Sequence, residues 1–283
     1  MGSLSPPSGP STTHGTLTFT VKPPDGIRAY RLREVDPITG QRVRNYKSIQ
    51  QDVEIENVRG KEEDYTLDGA GFQLGHHPAK HKKFENDAEV KSEYYEESVE
   101  LIKNVTGASK VVIFDHTIRR RRPGEPDDAT KRQPVAEAHV DQTTKAAIAR
   151  VHYHLPSEAP ELLQKGRYQL INLWRPINQP AIDWPLTLCD YRSVDVKEDL
   201  FEITLVYPDR EGETYGVRHS ERQKWKYFGG VKPEEYILIK CFDSIQDGSV
   251  ALFTPHTGFE DPTTPPGTPF RESIELRALV FYD

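Results

Sequence analysis

A histidine and an aspartate lie two positions apart in the stretch EAHVDQT, residues 137–143. The stretch is too short and too extended in character for a helix, and residues i and i+2 of a strand face the same side. His139 and Asp141 would therefore direct an imidazole and a carboxylate at one point, which is half of a metal site. The pair is a weak signal by itself, because such spacing is frequent by chance and a loop cap would also explain it.

A third ligand is expected on a later strand that faces the same cavity. Among the ten histidines of the chain, two follow in the strand-rich part of the sequence. His219, in GVRHSER, lies among charged residues in a loop-like segment, whereas His256, in FTPHTGF, ends the apolar run VALFTP. A core strand with a ligand at its pocket-facing end fits His256 better, although a histidine satisfied within the core is the simpler alternative for this residue alone.

Two histidines and one carboxylate leave three coordination positions open, an arrangement typical of non-haem Fe(II) oxygenases. If the co-substrate is 2-oxoglutarate, its distal carboxylate needs a cation, and the arginine fork matches a carboxylate with two hydrogen bonds. The segment RES places Arg271 and Ser273 on one strand face after His256. Nothing comparable follows His219, so the later segment also favours His256.

This combination of His-x-Asp, a distant His and a later Arg-x-Ser resembles the Fe(II)/2-oxoglutarate-dependent oxygenase superfamily. Over about residues 15–283 the chain is similar to the fungal gibberellin-desaturase-like group, which includes hydroxylases and desaturases of secondary-metabolite pathways. It is also similar to a bacterial cephalosporin 7α-methoxylation component. The segments that carry the resemblance are FDHTIRRR, INLWRPI, LCD, WKYF, KCFDS, PHTGFEDP and RESIELRALVF.

The resemblance implies Fe(II), 2-oxoglutarate and O₂ as the cofactor and co-substrates. The residues that would hold iron are His139, Asp141 and His256. Arg271 and Ser273 would hold the distal carboxylate of 2-oxoglutarate, with Arg277 as the alternative clamp because it shares their strand face. Further polar residues that match the group and are placed near the pocket are Asn172, Trp174 and Arg175.

The function that follows is hydroxylation, desaturation or oxidative cyclisation of a small-molecule substrate, with succinate and CO₂ as co-products. The sequence does not choose among these outcomes, because they depend on how the substrate is positioned. Two other classes stay open: a metal-dependent hydrolase or isomerase that works without O₂, and a non-catalytic partner subunit built on the same barrel. A homodimer is also left open.

Composition narrows the partners and the compartment. The chain has 283 residues, and its 44 acidic and 37 basic residues give a net charge of −7, which argues against nucleic acid as the main partner. The basic run at residues 119–122 is interpreted as a solvated strand end or loop. Cys189 and Cys241 are too few for a disulfide framework and are expected to be inert. Without a signal peptide or a run of about 20 apolar residues, a cytoplasmic protein with no membrane partner is expected.

The pattern of the chain predicts a mainly β protein with flanking helices (α+β), built on a double-stranded β-helix core of the jelly-roll, cupin-like type. Residues 1–15 are expected to be a flexible leader, and residues 16–283 a single domain with an N-terminal extension of strands and helices. One helix is predicted from Asn86 or Asp87 to Gly107. Two more are predicted at TTKAAIARVHYHL and SEAPELLQKG, the second capped by Ser157.

Everything beyond residue 166 is predicted to be strands separated by turns. The runs are RYQLINLWRPI, PLTLCDYRSV, LFEITLVYP, QKWKYF, YILIKCFDS, SVALFTPHTGF and ESIELRALVFYD.

Overall fold

Two β-sheets dominate the fold. The structure, a computed structural model, describes residues 11–127 and 131–283. The strands are β1 Thr12–Val21, β2 Ala29–Leu32, β3 Lys47–Asn57, β4 Phe72–His76, β5 Lys110–Arg120, β6 His139–Val140, β7 Tyr168–Pro176, β8 Leu186–Cys189, β9 Leu200–Val206, β10 Glu211–Val217, β11 Trp225–Tyr227, β12 Glu235–Asp243, β13 His256–Gly258 and β14 Glu272–Phe281.

One sheet has nine strands in the order β1-β3-β11-β8-β13-β6-β10-β9-β2, and the other has five in the order β4-β12-β7-β14-β5. A shared apolar core joins Leu188 of the larger sheet to Leu170 and Leu279 of the smaller one. The architecture confirms the predicted double-stranded β-helix, in which two curled sheets enclose a core between them.

Strand β7 shows how the sequence assigns side chains to the two faces of the smaller sheet. All nine of its residues are buried, so the run lacks the polar alternation of a half-exposed strand. Leu170 and Trp174 pack into the core between the sheets, whereas Ile171 and Leu173 pack in the second core, which contains the helical segment. This period of two decides which polar residues of the strand can reach the site.

The helical segment that covers the smaller sheet runs from Asp87 to Thr106. The helices are α1 Asp87–Glu89, a π-helical stretch Val90–Tyr94, α2 Tyr95–Thr106, α3 Thr144–His154, α4 Ala159–Lys165 and α5 Val196–Asp199, with 3₁₀ helices Glu62–Asp64 and Tyr191–Ser193. Asn86 caps α1 through its side chain, and Gly107 ends α2 with φ 73°, as predicted. None of the helices within the described ranges is long and apolar enough to span a membrane.

Two predicted boundaries near helix and strand starts are wrong. β1 begins at Thr12 and pairs with β3 from that residue onwards, so residues 12–15 belong to the sheet; residues 1–10 of the predicted leader lie outside the described part. Glu158, not Ser157, precedes α4, and it makes no side-chain cap. The amides of Glu158 and Ala159 already donate to Leu155 at the end of α3, which leaves them needing no cap.

The strands predicted after residue 166 occur at the predicted positions, but some of them are shorter than predicted. Of the run SVALFTPHTGF only β13 is a strand, because Ala251 donates its backbone N–H to Asp68 outside the sheet and Pro255 has no N–H to donate. β10 was not predicted, since its sequence EGETYGV has few apolar residues. It nevertheless pairs with both β9 and β6.

The basic run at residues 119–122 ends β5 as predicted, but its side chains are not simply solvated. All four arginines are partly buried. Arg120 pairs with Glu272 at 2.8 Å, and Arg121 pairs with Asp183 and lies 4.7 Å above the ring of Trp184. The strand end therefore packs against the segment that precedes β8.

Candidate metal centre

Neighbouring strands of the larger sheet bring the three predicted metal ligands together. β6 and β13 are antiparallel, and His139 is paired directly with His256. Their ring centroids lie 4.5 Å apart. Asp141 is the first residue after β6, and its side chain faces the same side as that of His139. One ligand atom from each of the three side chains lies within 4.8 Å of the other two.

The backbone fixes which nitrogen of each histidine faces this point. His139 Nδ1 lies 2.8 Å from the carbonyl oxygen of Glu137, and His256 Nδ1 lies 2.9 Å from that of Thr254. A carbonyl only accepts hydrogen bonds, so each Nδ1 carries the hydrogen and donates it. Both Nε2 atoms are thereby directed towards the cluster, as in histidines that bind metals.

Asp141 is held as an anion. Asn172 Nδ2 donates to Oδ2 at 2.6 Å, and Oδ1 lies 3.3 Å from His139 Nε2. Burial raises the pKa of the Asp141 carboxyl, but the hydrogen bond with His139 and the charge of Arg277 outweigh burial and hold the pKa well below its usual range. Either a proton or a divalent cation between Oδ1 and Nε2 would relieve the repulsion of their lone pairs.

His256 is suited to act as a neutral ligand. Its side chain is buried, and burial together with the neighbouring His139 lowers the pKa of the imidazole. A neutral imidazole with a free Nε2 is the form that binds metal. Two such nitrogens and one carboxylate form a facial donor set that suits Fe(II).

Arg271 lies at the start of β14 with an unusual set of contacts. Its NH1 donates to the carbonyl of Trp184 at 2.6 Å, its backbone N–H donates to Asp183, and its guanidinium lies 5.8 Å from the ring of Trp174. Its Nε is buried with no hydrogen-bond partner among the described residues. A buried donor without an acceptor is costly, and a carboxylate brought by a ligand would satisfy it.

The charge of Arg271 is maintained at neutral pH. Burial, reinforced by the positive charge of Arg119, lowers its pKa to about 9. Ser273, which is 1% exposed, follows two positions later on the same strand face. The guanidinium and the hydroxyl thus lie on one strand face, and their binding of the distal carboxylate of 2-oxoglutarate stays a prediction.

Arg277 shares the strand face but is already committed to other groups. Its NH1 donates to Asp115 at 3.1 Å and to Thr117 at 3.0 Å, and its NH2 donates to Glu275 at 2.6 Å. Its Nε lies 3.7 Å from Asp141. Because its donors are occupied, Arg277 is better placed to orient the metal-binding carboxylate than to clamp a co-substrate.

Of the remaining predicted pocket residues, two face the centre and one does not. Asn172 contacts Asp141, and Trp174 lies beneath Arg271. Arg175 points to the other face of β7, where it donates to the hydroxyl of Tyr94 and to two backbone carbonyls. Its predicted place in the pocket is wrong, since adjacent residues of a strand face opposite sides.

Several residues of the centre escaped the sequence analysis. Glu275 could have been found, because it lies between Ser273 and Arg277 with the same spacing of two. Arg119 becomes a neighbour only through the register of β5 with β14, where it is paired with Ser273. Asp183 and Trp184 come from an irregular segment, in which Trp184 adopts the left-handed region with φ 47°. No pattern in the sequence predicted this conformation.

Cys241 also approaches the centre, with Sγ 3.9 Å from Asp141 Oδ2. Burial and the neighbouring Asp141 charge raise the pKa of this thiol well above its usual value. The pKa of Cys189 rises to about 12 through burial. Both side chains stay protonated at neutral pH, in agreement with their expected inertness.

Comparison with known proteins assigns the family. The family described as oxidoreductase/YMDC permease-like domain matches residues 17–281. The hydroxylase/desaturase efuI of Hormonema carpetanum is 34% identical over 82% of this chain and 84% of its own length. The Fe(II)/2-oxoglutarate-dependent dioxygenase nvfI of Aspergillus novofumigatus is 30% identical over 92% of this chain and 94% of its own length.

The chain belongs to this family of fungal Fe(II)/2-oxoglutarate-dependent oxygenases. A solved structure of the iron- and alpha-ketoglutarate-dependent endoperoxidase NvfI superposes with a TM-score of 0.83 at 26% identity, covering 97% of this chain and 99% of that one. The oxygenase family explains why two imidazoles and a carboxylate converge between the sheets, and it implies Fe(II), 2-oxoglutarate and O₂ in this chain.

Proposed function

We propose that His139, Asp141 and His256 hold Fe(II), and that Arg271 with Ser273 holds the distal carboxylate of 2-oxoglutarate. The observation that carries the proposal is the convergence of the three ligand atoms within 4.8 Å, with both histidine Nδ1 atoms tied to backbone carbonyls. The unsatisfied Nε of Arg271 supports the co-substrate assignment. These residues fit the cofactors that the family implies.

When bound, Fe(II) would activate O₂, which is the oxidant; 2-oxoglutarate would supply two electrons as it is converted to succinate and CO₂, and the substrate C–H bond would supply the other two. The chain's own residues position these groups. Asn172 and Arg277 fix the orientation and charge of Asp141. The ring of Trp174, which belongs to the core between the sheets, packs against the guanidinium of Arg271.

The reaction on the organic substrate belongs to the same proposal. Relatives bear the names hydroxylase/desaturase and, for NvfI, endoperoxidase. We propose hydroxylation, desaturation or oxidative cyclisation of a small molecule here, in the cytoplasm; a homodimer remains a proposal as well. Release of one succinate per substrate oxidised would exclude a metal-dependent hydrolase or isomerase, and turnover by the purified chain would exclude a non-catalytic partner subunit.

The metal assignment is tested by anaerobic titration with Fe(II) and 2-oxoglutarate. The wild-type protein should develop the weak visible charge-transfer band of a chelated keto acid on iron. His256→Ala should lose this band, whereas His219→Ala should keep it, because His219 lies outside the cluster. A full band in His256→Ala would show that another residue completes the ligand set.

A further inference from the structure

Six arginines from three separate segments form a linked cluster that reaches the metal centre through Arg119 and Arg33. They are Arg31, Arg33, Arg42, Arg44, Arg119 and Arg132, and we refer to them as the arginine rim. The segments are β2 with the turn that follows it, the end of β5, and the loop that leads to β6. Such a concentration of positive charge is notable in a chain whose net charge is −7.

Glu137 connects the outer rim to a metal ligand. Its backbone carbonyl accepts the hydrogen bond from His139 Nδ1 at 2.8 Å. Its carboxylate pairs with Arg44 at 2.7 Å and lies 3.7 Å from Arg31. Glu137 therefore links Arg31 and Arg44 of the rim to the imidazole of His139.

Arg119 is the innermost member of the rim. It is paired with Ser273 across β5 and β14, which puts both side chains on the inner face of the sheet. It interacts electrostatically with Glu275, Arg277 and Asp141. Its guanidinium donates to the backbone carbonyl of Gln133 at 2.9 Å, and among the described residues no carboxylate lies within ion-pair distance.

Within residues 11–127 and 131–283, the rim contains more arginines than carboxylates at ion-pair distance, and Glu275 acts on Arg119 only from further away. Glu137 forms ion pairs with Arg31 and Arg44. Asp127 lies 3.3 Å from both Arg42 and Arg132. These ion pairs leave Arg33 and Arg119 without a carboxylate partner in the described part of the chain. Arg31 Nε is buried and has no hydrogen-bond partner among the residues that the structure describes.

Keeping these cations together opposes folding. Burial is the largest cause in each case. It lowers the pKa of Arg33 against the opposing effect of Tyr207, and that of Arg119 against the opposing effect of Glu275, with nearby arginines adding to the lowering. Burial and the charge of Arg119 lower the pKa of Arg132 to about 10. The positive charge of Arg277, at the metal centre, also lowers the pKa of Arg33. Half-buried cations that repel one another and lack counterions are retained most readily where a ligand supplies the negative charge.

We propose that the arginine rim binds an anionic group, a carboxylate or a phosphate, carried by the organic substrate, and that Arg119 and Arg33 are its principal contacts. The proposal rests on the proposed function, since it concerns the substrate of the same centre. Arginine is suited to this role because its planar fork binds carboxylate and phosphate oxygens in pairs. The rim holds the charged end of the substrate while its apolar part extends to the metal.

The co-substrate 2-oxoglutarate is itself an anion, so the experiment separates the two. The protein is loaded anaerobically with Fe(II) and 2-oxoglutarate, and is then titrated with dansylglycine and with its neutral amide, dansylglycinamide, by fluorescence. The wild type should bind the carboxylate probe at least about tenfold more tightly than the amide. Raising the salt from about 20 to about 200 mM should weaken only the carboxylate probe.

Arg119→Gln and Arg33→Gln should each lose about tenfold in affinity for the carboxylate probe and change little for the amide. Arg222→Gln is the control, because it removes the same charge from an exposed arginine that pairs with Asp199. If Arg119→Gln does not fold, Arg132→Gln takes its place. The charge-transfer band in each variant reports separately on iron and 2-oxoglutarate, so failure of the proposed function would appear there.

Three results would overturn the proposal. The first is equal affinity of the wild type for the two probes. The second is an effect of the rim variants no larger than that of Arg222→Gln. The third is weaker binding of 2-oxoglutarate with unchanged binding of the carboxylate probe, which would assign the rim to the co-substrate.

Discussion

The carboxylate of Asp141 accepts a short hydrogen bond from the side-chain amide of Asn172. Asn172 donates to Oδ2 at 2.6 Å, and its loss would leave the side chain held from one side by Arg277. We expect Asn172→Ala to weaken Fe(II) binding by about 10- to 100-fold, the usual effect of removing a group that orients a metal ligand. Isothermal titration under anaerobic conditions measures it.

Asn104→Ala is the matched control for this substitution, since Asn104 is exposed on α2. Equal iron affinity in both variants would show that the hydrogen bond of Asn172 has no part in orienting the ligand.

Arg271 and Arg277 offer a second comparison of single residues. Arg271 has a buried Nε without a partner, whereas Arg277 has donors bonded to Asp115, Thr117 and Glu275. Arg271→Ala should raise the Kd for 2-oxoglutarate by about tenfold or more while iron stays bound. Arg277→Ala should instead weaken iron binding. The reverse pattern would move the clamp to Arg277.

At this scale the sequence was most informative where chemistry restricts the choice of residue. His139, Asp141 and His256 could be selected because few residue types bind iron, and the spacing of Arg271 and Ser273 distinguished His256 from His219. Arg175 was misplaced because a fully buried strand gives no polar alternation from which to read its faces. Arg119 could not be selected without the register of β5 and β14.

At the scale of elements, β13 packs against the segment before β8, which in turn contacts Arg271. A Cβ atom on Gly258 would lie 2.7 Å from two atoms of the Trp184 ring, and the Trp184 carbonyl holds Arg271. We expect Gly258→Ala to displace Trp184 and to weaken 2-oxoglutarate binding by about tenfold, with smaller effect on iron. Titration monitored by the charge-transfer band measures both.

Gly212→Ala in β10 is the control, because a Cβ there meets Tyr207 only at 3.4 Å. If Gly258→Ala bound 2-oxoglutarate like the control, the contact between β13 and Trp184 would not govern the clamp.

Helices were predicted best where the periodicity of apolar residues and the capping residues indicate the same boundaries. The helix from Asn86 to Gly107 has both, and α3 has its threonine cap at Thr143. β10 and the short β13 were harder, because long-range pairing rather than local apolar content makes them strands. The sequence gives no direct signal of which distant strands will pair.

For the whole molecule, a buried ionic network between the smaller sheet and a surface turn is the clearest determinant of stability. Lys240 has no exposed surface and donates to Asp243 and Asp68, each at 2.7 Å. Asp243 also accepts from Arg167 at 2.6 Å. Asp243→Ala would leave the buried Lys240, and Arg167, paired only with the half-exposed Asp68, and we expect a loss of about 3 kcal/mol in the free energy of unfolding.

Urea denaturation followed by circular dichroism measures this loss. Asp247→Ala is the control, since Asp247 lies in an exposed turn, and should change the midpoint little. A midpoint for Asp243→Ala equal to that of the control would mean that the network adds nothing to stability.

The same network predicts how the molecule responds to acid. Burial raises the pKa of Asp68 and of Asp243, but Arg167 and Lys240 outweigh it, so both carboxyls have a lowered pKa in the folded state. Their contribution is complete above the unfolded pKa of about 4 and is lost as the pH falls through the folded values. Unfolding free energy should therefore decline below about pH 4, and less steeply in Asp243→Ala.

The position of β14 has a consequence for synthesis. This strand lies between β7 and β5, which both precede it in the chain. While a ribosome is still adding residues before Glu272, the two neighbours have no partner between them, and their free edges can recruit other chains. Translation products that stop short of this strand should accordingly be insoluble and devoid of keto-acid binding, whatever the state of the imidazoles upstream.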